Sequence, residues 1–268
     1  MEDVEKVELM DAVEYLLDIR NLTKRFGGLT AVRGLSFKVG KGQIKAIIGP
    51  NGAGKTTVFN MVSGLLKPSE GQRLFKGLSI EGLMPHEIAA LGISRTFQNV
   101  LIFDNLTVFQ NVMVGRHTRS RGEFFYSGIG VLGSRREERK IQEKAYAFLD
   151  LVGLTKKAFE MAGNLPFGEQ RLLEIARAMA TEPDLLLLDE PAAGLNEMET
   201  QKLAGLIRAI QSLGVTILLV EHDMNLVMDI SETIVVLNYG EAIAEGTPSE
   251  IQQHPAVIEA YLGGGDYA

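Results

Sequence analysis

The sequence contains no cysteine, carries a net negative charge and has no long apolar run. The absence of cysteine excludes disulfides, zinc sites built on thiolates and cysteine nucleophiles. A formal net charge of −7 over 268 residues argues against a surface built to bind nucleic acid, which is normally basic. With 46% hydrophobic and 23% charged residues, the composition is that of a globular protein with a substantial core.

No segment approaches the roughly 18 consecutive apolar residues that a membrane-spanning helix requires. The first residues, MEDVEKVELMD, are acidic where a secretory signal would be basic and then apolar. We therefore expect the chain to remain in the cytoplasm, with neither a signal peptide nor a transmembrane segment. Any work at a membrane would then depend on attachment to other chains.

Four short apolar runs predict strands buried on both faces, as in a parallel sheet covered by helices. These runs are residues 44–49, 184–190, 216–222 and 233–238. Segments with helical periodicity lie among them, at residues 56–66, 170–180 and 197–213. The alternation predicts an α/β domain whose ligand lies at the carboxyl ends of the strands.

Other segments depart from this alternation. Strand-like patches split by polar turns at residues 15–39 and 73–80 predict an antiparallel layer. Residues 100–162 are predicted to be mostly helical, with the clearest amphipathic helix at 136–153, and a short closing helix is predicted at 255–265. No internal repeat is visible, so the chain holds one such unit.

A glycine-rich string, GPNGAGKTT at residues 49–57, matches the phosphate-loop pattern. It follows a predicted strand and opens a predicted helix, whose N–H groups and positive dipole end attract phosphate. We predict that Lys55 reaches the β- and γ-phosphates and that the Thr56 hydroxyl binds Mg²⁺. The other predicted nucleotide contacts are Asn51, Gly52, Ala53, Gly54 and Thr57. The alternative, an ordinary glycine-rich turn, is disfavoured by this order of strand, loop and helix.

A second apolar strand ends in two carboxylates, in the string LLLLDEP at residues 185–191. A carboxylate at such a strand end can hold Mg²⁺ through water, the role predicted for Asp189. Glu190 is then placed to polarise an attacking water. An acidic pair alone is usually only a solvated pair, but a phosphate loop upstream favours the functional interpretation.

Further motifs narrow the choice among phosphate-loop proteins. Gln98 lies in RTFQN, the string LPFGEQRLLEIARAMA precedes the second strand, and PAAGLN and LLVEHDM, with His222, follow it. This order resembles the ABC ATPase family over residues 15–263. The resemblance implies an ATPase with a P-loop NTPase core, a mostly parallel sheet, an antiparallel β layer and an inserted α-helical subdomain. We accordingly divide the domain into a core (15–98 and 180–246), a helical subdomain (99–179) and a C-terminal helix (247–263).

The resemblance also implies roles for single residues. Phe26 matches the aromatic residue that stacks on adenine, with Val32 packing nearby, although a strand core position is the alternative for Phe26. Gln98 matches the residue that touches Mg²⁺ or the water and links the site to the helical subdomain. His222 matches the residue that contacts the γ-phosphate, where a lone histidine would otherwise be a surface loop residue.

The signature segment departs from the family's common LSGGQ string. It reads LPFGE, so Pro166 replaces a serine that donates to the partner's nucleotide, and Phe167 replaces a glycine. Gly168 remains and Glu169 replaces a glutamine. In the following turn, Asn196 replaces an aspartate, and its amide is expected to hydrogen-bond across a dimer.

The strings RFGGLTAV, SRTFQN, PAAGLN, EHDM and AYLGG, with the LPFGEQ signature, resemble the ATP-binding subunits of branched-chain amino-acid importers. That resemblance implies ATP and Mg²⁺ as cofactors and a position on the cytoplasmic face of the membrane. The implied partners are a second ATP-binding subunit, in a homodimer or heterodimer, two membrane-spanning permease subunits and an external solute-binding protein. Similar subunits serve urea import and lipopolysaccharide export, so both remain alternative functions.

One stretch bears on attachment to the permease. Residues 122–134, which include Phe124 and Phe125, are rich in apolar side chains and, with residues 100–103, are predicted to form a groove for a short permease helix. The alternative is a loop that folds back on its own core.

Three other functions compete with transport. A soluble ABC ATPase of translation or DNA repair usually carries tandem units, coiled coils or zinc-binding cysteines, which this chain lacks. A phosphate-loop kinase of small metabolites needs neither a signature helix nor the histidine. A regulatory module that binds ATP without hydrolysis is disfavoured by Glu190, but the altered signature leaves it open for the opposite site.

Overall fold

The structure, a computed structural model, describes residues 15–124 and 131–262. These residues form two sheets and the helices that pack on them. The strands are β1 (Tyr15–Phe26), β2 (Leu29–Gly40), β3 (Ile44–Ile48), β4 (Glu70–Phe75), β5 (Leu78–Ser79), β6 (Ile93–Arg95), β7 (Leu185–Asp189), β8 (Thr216–Val220), β9 (Thr233–Asn238) and β10 (Glu241–Gly246). The helices are α1 (Lys55–Val62), α2 (Pro85–Leu91), α3 (Val108–Phe124), α4 (Val131–Leu151), α5 (Phe167–Met179), α6 (Glu197–Ser212), α7 (Met224–Ile230), α8 (Pro248–Gln253) and α9 (Pro255–Leu262).

The larger sheet has the strand order β10-β9-β3-β8-β7-β6. Its strands pair in parallel from β9 to β6, and β10 pairs antiparallel with β9. The smaller sheet has the order β2-β1-β4-β5 and is antiparallel throughout. The predicted α/β class, with a mostly parallel sheet and an antiparallel layer, is confirmed.

The larger sheet is buried on both faces, which explains why its strands are continuous apolar runs. In β3, Ile44, Ala46 and Ile48 pack in a cluster with the helices α3 to α6, whereas Ile47 packs in a second cluster with α1 and the smaller sheet. Successive side chains of a strand point to opposite faces, so one short strand contributes to both clusters. The sheet therefore separates a helical side from an antiparallel side.

The helix boundaries differ from the predicted ones where local hydrogen bonds intervene. The helix predicted at 56–66 ends at Val62, because Gly64 and Leu66 donate back to the carbonyls of Met61 and Asn60. The helix predicted at 170–180 begins earlier, at Phe167, directly after the fixed φ of Pro166. The helix predicted at 197–213 ends at Ser212.

Two predictions of helix content need larger corrections. Residues 100–107 are not helical, and short 3₁₀ turns, Thr155–Lys157 and Ala162–Asn164, interrupt the region after α4. The single C-terminal helix predicted at 247–263 is two helices, α8 and α9, because Pro255 cannot continue the first. The short elements β6, β10, α2 and α7 were not predicted, since they span too few residues for a periodic signal.

The parallel strands end at one edge of the larger sheet, and this edge positions the candidate site. The chain leaves β3 at Gly49, β6 at Thr96, β7 at Glu190 and β8 at Glu221. Loops from the carboxyl ends of neighbouring parallel strands meet in such a fold. In the residues that the structure describes, no helix is both long and apolar enough to cross a bilayer. Of the predicted groove segment at 122–134, residues 125–130 and the side chains of the others lie outside what the structure describes.

Candidate nucleotide-binding and hydrolysis site

The phosphate loop connects β3 to α1 and is clamped between two sheets. A Cβ atom added to Gly49 would lie 2.1 Å from the carbonyl oxygen of Leu237 in β9. A Cβ atom added to Gly54 would lie 2.6 Å from the carbonyl oxygen of Ala31 in β2. Because both neighbours are backbone atoms, only glycine fits at either position.

The turn between β9 and β10 secures the loop from the outside. The N–H of Gly240 donates to the carbonyl of Ala53 at 3.1 Å, and the carbonyl of Gly240 accepts from the N–H of Arg33 at 2.8 Å. Ala53 is buried, and its own N–H donates to the carbonyl of Pro50 at 3.1 Å. Of the residues predicted to contact nucleotide, Ala53 is therefore the one whose amide is already engaged within the loop.

Lys55 folds back over this loop. Its side chain is 6% exposed, and its Nζ donates to the carbonyls of Gly49 at 2.7 Å and Pro50 at 2.9 Å. Burial lowers the pKa of Lys55 below its ordinary value, and the nearby carboxylate of Glu190 partly offsets this shift. The ammonium thus occupies the mouth of the loop, next to the exposed residues Asn51 and Thr56.

Asp189, the last residue of β7, lies at the same edge and is 2% exposed. Its Oδ2 accepts from Arg95 Nη2 at 2.7 Å, while its Oδ1 has no hydrogen-bond partner among the described residues. A buried carboxylate oxygen without a partner is costly, and a cation or ordered water would satisfy it. This oxygen fits the predicted Mg²⁺ role, since Mg²⁺ takes oxygen ligands.

Glu190 is held between two of the other predicted residues. Its Oε2 accepts from Gln98 Nε2 at 2.8 Å, and its Oε1 lies 2.9 Å from His222 Nε2. Its backbone has φ of 47°, a left-handed conformation that is uncommon outside glycine. Strained backbone of this kind persists where the surroundings fix it, often at functional sites. The structure thus joins three predicted residues that lie far apart in sequence.

Glu221 was not predicted, although it belongs to this edge of the sheet. Its buried carboxylate accepts from the N–H groups of Ala192 at 2.6 Å, His222 at 2.8 Å and Asp223 at 3.2 Å. Burial raises the pKa of Glu221 and these hydrogen bonds oppose the rise. Glu221 ties the His222 loop to the turn that follows Glu190. A carboxylate that ends an apolar strand was the signal that could have found it, as it found Asp189.

The residues assigned to adenine lie at the end of the smaller sheet. Phe26 ends β1 and is 48% exposed, with the Lys24 ammonium 5.1 Å from the centre of its ring. The alternative that Phe26 is a core residue is therefore wrong. Val32 is fully buried, and its Cγ2 would lie 3.2 Å from a Cβ on Gly54, so it packs behind the phosphate loop.

The signature segment at the start of α5 packs on its own chain. Phe167 is 47% exposed, and its ring edge would lie 2.9 Å from a Cβ on Gly194. A Cβ on Gly168 would lie 2.7 Å from Glu199 Oε1. Pro166 precedes the helix and provides no side-chain cap.

Two further predicted residues, Glu169 and Asn196, are bonded to neighbours within the chain. Glu169 forms an ion pair with Lys157 at 2.6 Å, and the Glu169 carboxylate raises the pKa of Lys157. Asn196 caps α6: its side-chain oxygen accepts from the N–H of Glu199 at 3.0 Å, and Glu199 Oε2 accepts from the N–H of Asn196 at 3.0 Å. The oxygen of Asn196 is thus used within the chain, and the contact of its amide across a dimer stays a prediction.

Comparison with known proteins places these features in a family. The sequence pattern of the family described as "ABC transporter" matches residues 32–193, and that of "Branched-chain amino acid ATP-binding cassette transporter" matches residues 243–267. The high-affinity branched-chain amino acid transport ATP-binding protein BraF of Pseudomonas aeruginosa is 49% identical, over 92% of this chain and 98% of that protein.

Solved structures agree with this placement. The ADP conformation of an ATP-binding cassette of an ABC transporter has a TM-score of 0.80 and 31% identity, covering 93% of this chain and 99% of that one. A dimeric ATP-binding cassette in a post-hydrolysis state, bound to ADP and phosphate, has a TM-score of 0.73 and 26% identity. It covers 87% of this chain and 98% of that one.

Proposed function

This chain belongs to the ABC transporter family, and on that premise we propose that it is the ATP-hydrolysing subunit of an importer for branched-chain amino acids. The solute class is inferred from the similarity to BraF, which covers 92% of this chain. The family pattern for branched-chain transporters at residues 243–267 agrees with it. The hydrolytic activity is inferred from the position of Glu190 between Gln98 and His222.

Nucleotide binding starts from a preformed site. The exposed ring of Phe26 offers a face for adenine, and the clamped loop presents its N–H groups to the phosphates. Lys55 then exchanges its two carbonyl partners for phosphate oxygens, which are stronger acceptors because they are charged. A helix end and a cation thus converge on the same phosphates.

The residues that would hold Mg²⁺ are Thr56, Asp189 and Gln98. In the residues 15–124 and 131–262, no cluster of three or more histidine or carboxylate side chains could hold a metal ion. A Mg²⁺ ion here would therefore take its other ligands from phosphate oxygens and water, as it does in many ATPases. When bound, it supplies positive charge that offsets the charge of the phosphates.

Hydrolysis needs a water molecule in line with the γ-phosphate. Glu190 accepts a hydrogen bond from that water and orients it, while Gln98 and His222 fix the two oxygens of the carboxylate. Because each oxygen of the Glu190 carboxylate already has a partner, Gln98 at 2.8 Å and His222 at 2.9 Å, the carboxylate has little freedom to turn away. This preorganisation lowers the cost of reaching the transition state.

We propose that two such subunits bind two nucleotides between them, as the related cassette with ADP and phosphate is itself dimeric. The segment 166–169 of each chain would then face the nucleotide of the other. With Pro166 in place of a serine, this chain offers its partner fewer donors, which fits a heterodimer with a second, different ATP-binding subunit. ATP favours the closed dimer and ADP does not, so hydrolysis drives opening.

Attachment to the membrane would come from the permease subunits, on the cytoplasmic face. A groove of about 470 Å³ lies between the irregular segment after Gln98 and the helices α3 and α5. Its apolar lining includes Leu101, Ile102, Phe103 and Val114. The groove has the lining that a short amphipathic permease helix requires. It also abuts the segment that carries Gln98, so a docked helix would move with the hydrolytic site.

The test uses this chain in the assembled transporter, with its second ATP-binding subunit, two permease subunits and the external binding protein, in proteoliposomes. We expect ATP-dependent uptake of leucine, isoleucine and valine, and its loss in Glu190→Gln, with nucleotide binding retained. Glu197→Gln, at the exposed start of α6, is the matched control. Uptake of urea in place of the amino acids would overturn the solute class, and near-normal hydrolysis in Glu190→Gln would remove Glu190 from its role.

A further inference from the structure

Helix α5 carries a buried charge pair that has no part in the roles assigned so far. Arg171 and Glu174 are each 1% exposed and lie one turn apart, with Nη1 of the arginine 3.1 Å from Oε2 of the glutamate. Charged side chains are rarely buried this deeply unless they are paired and hydrogen-bonded, and in this pair only Nε of Arg171 has no partner among the described residues. The partners of this pair therefore show what it is for.

The guanidinium of Arg171 reaches out of the helix to three backbone carbonyls of the hydrolytic site. Its Nη1 donates to the carbonyl of Phe97 at 2.7 Å, and its Nη2 donates to that of Gln98 at 2.8 Å. Its Nη2 also lies 3.4 Å from the carbonyl of Glu190. Two of these residues carry the side chains that meet in the Gln98–Glu190 hydrogen bond.

Glu174 holds the same segment from its N–H side. Its Oε1 accepts from the N–H of Phe97 at 3.2 Å and from the N–H of Leu101 at 3.5 Å. Burial raises the pKa of Glu174, while the N–H of Phe97 and the charge of Arg171 favour its ionised form. Both backbone groups of Phe97 are thus bonded to this single pair on α5.

We propose that Arg171, held by Glu174, is a positioning residue for ATP hydrolysis. It holds the main chain of Gln98 and Glu190 in place, and so sets the geometry of the hydrogen bond between the Gln98 amide and the Glu190 carboxylate. The inference rests on the proposed role of Glu190. Because α5 begins at the signature residues Phe167 and Gly168, any movement of the signature on meeting the partner's nucleotide reaches this chain's own hydrolytic site through Arg171.

Arginine suits this position because its planar fork can serve a carboxylate and several carbonyls at once. A lysine would keep the charge but has one ammonium, which cannot occupy the positions of both Nη atoms. Arg171→Lys therefore separates positioning from charge. A replacement of both partners, Arg171→Met with Glu174→Leu, removes the buried charges together and avoids leaving one of them unpaired.

The matched control is another buried arginine with a carboxylate partner, in the smaller sheet. Arg73 is 2% exposed, bonds to Glu81 at 2.9 Å and donates to the carbonyls of Ile80 and Met61. Arg73→Lys thus disturbs a similar buried network on the side of the sheet away from α5. A purely structural role for Arg171 predicts that the two lysine variants behave alike.

The experiment measures kcat, KM for MgATP and the thermal unfolding midpoint of the assembled transporter for all these variants. We expect Arg171→Lys and the double variant to lower kcat tenfold or more with KM changed less than threefold, and Arg73→Lys to keep more than half of kcat. A double variant that folds and keeps more than half of the wild-type kcat would overturn the proposal. If Arg171→Lys does not fold, the double variant alone decides the test.

Glu190→Gln in the same series separates this inference from the proposed function. If Glu190→Gln is inactive while the Arg171 variants hydrolyse ATP normally, only the positioning role is lost. If Glu190→Gln is active, the proposed function of that carboxylate fails first. Arg171→Lys and Arg73→Lys could also lose kcat to the same extent and have the same unfolding midpoint as each other. That result would count against positioning, because both variants would then act through stability.

Discussion

The phosphate loop and the signature segment both place a glycine-containing string at the N-terminal end of a helix, yet different kinds of neighbour enclose them. The phosphate loop is gripped by backbone atoms, since Gly49 abuts the carbonyl of Leu237 and Gly54 that of Ala31. The signature segment is gripped by side chains, through Glu199 beside Gly168 and Lys157 beside Glu169. A backbone neighbour cannot rotate away, whereas a side chain can.

This difference explains why one string matches its family pattern and the other departs from it. A position that abuts a backbone atom tolerates no added atom, so glycine is obligatory at Gly49 and Gly54. A segment enclosed by rotatable side chains tolerates Pro166, Phe167 and Glu169 in unusual places, because its neighbours adjust. The following variants test this comparison, from the largest expected change in stability to the smallest.

Gly49→Ala should be the most damaging of these changes. The new methyl group would meet a backbone oxygen at 2.1 Å, so β9 or the loop must move, and we expect a loss of about 3 kcal/mol of unfolding free energy. Urea unfolding of the purified chain measures it, together with ATP binding, which should be abolished. Gly205→Ala, in open space on α6, is the control and should be neutral or stabilising. Equal stability of the two variants would contradict the clamp.

Gly168→Ala should cost less, although the atom nearest to the added methyl group is also close. The methyl group would meet Glu199 Oε1 at 2.7 Å, but that side chain can turn out to solvent and give up only its hydrogen bond to Asn196. We expect a loss of about 1 kcal/mol. The same urea titration measures this loss. A loss as large as that of Gly49→Ala would erase the distinction between the two segments.

Pro166→Ser should leave stability almost unchanged while it changes function. A serine cap on α5 contributes about 1 kcal/mol, and loss of the proline costs about as much through the freer unfolded chain. Its hydroxyl also adds a donor toward the partner's nucleotide, so ATPase activity of the paired subunits should rise at least twofold. Pro85→Ser, at the start of α2, is the control. Unchanged activity in Pro166→Ser would show that the segment works without this donor.

Glu169→Gln should mainly lower the pKa of Lys157. The hydrogen bond from Lys157 to Glu169 is the main cause of the raised pKa of that lysine, so its removal should return the pKa toward its ordinary value. NMR titration of the lysine side chains measures the shift. Glu160→Gln removes a weaker contribution and should produce a smaller change. If the glutamate at 160 proved dominant, the ion pair at the signature would be weaker than its geometry indicates.

The sequence was most informative where chemistry dictates residue type and spacing together. The phosphate loop, Asp189 and Glu190 follow from apolar strands that end in glycine or carboxylate, and the structure places them at one edge of the sheet. Arg95 and Arg171 could not be found in this way, because the site residues that they contact, Asp189 and Gln98, lie 94 and 73 residues away along the chain. A buried arginine has no local signal, since nothing near it in sequence shows that it will be enclosed.

Asn196 and Glu199 form a different kind of miss. The spacing Asn-x-x-Glu before a helix is a capping-box signal, so the local role of Asn196 was visible in the sequence. The family resemblance implies a contact of Asn196 with the partner subunit, and this local cap was not predicted. Glu221 was not predicted either, because the family resemblance implies a role for the neighbouring His222 and none for the carboxylate before it.

The turn at Gly240 has a consequence for hydrogen exchange. Its N–H is bonded to the phosphate loop at Ala53, and its carbonyl is bonded to Arg33 in β2. The Gly240 and Arg33 amides can exchange with solvent only when this junction opens, which frees the loop from one of its supports. A nucleotide that tightens the loop would slow exchange at both amides, although neither residue is assigned to touch it. The exchange rates of these two amides would therefore report the binding and release of ATP at a distance from the phosphates.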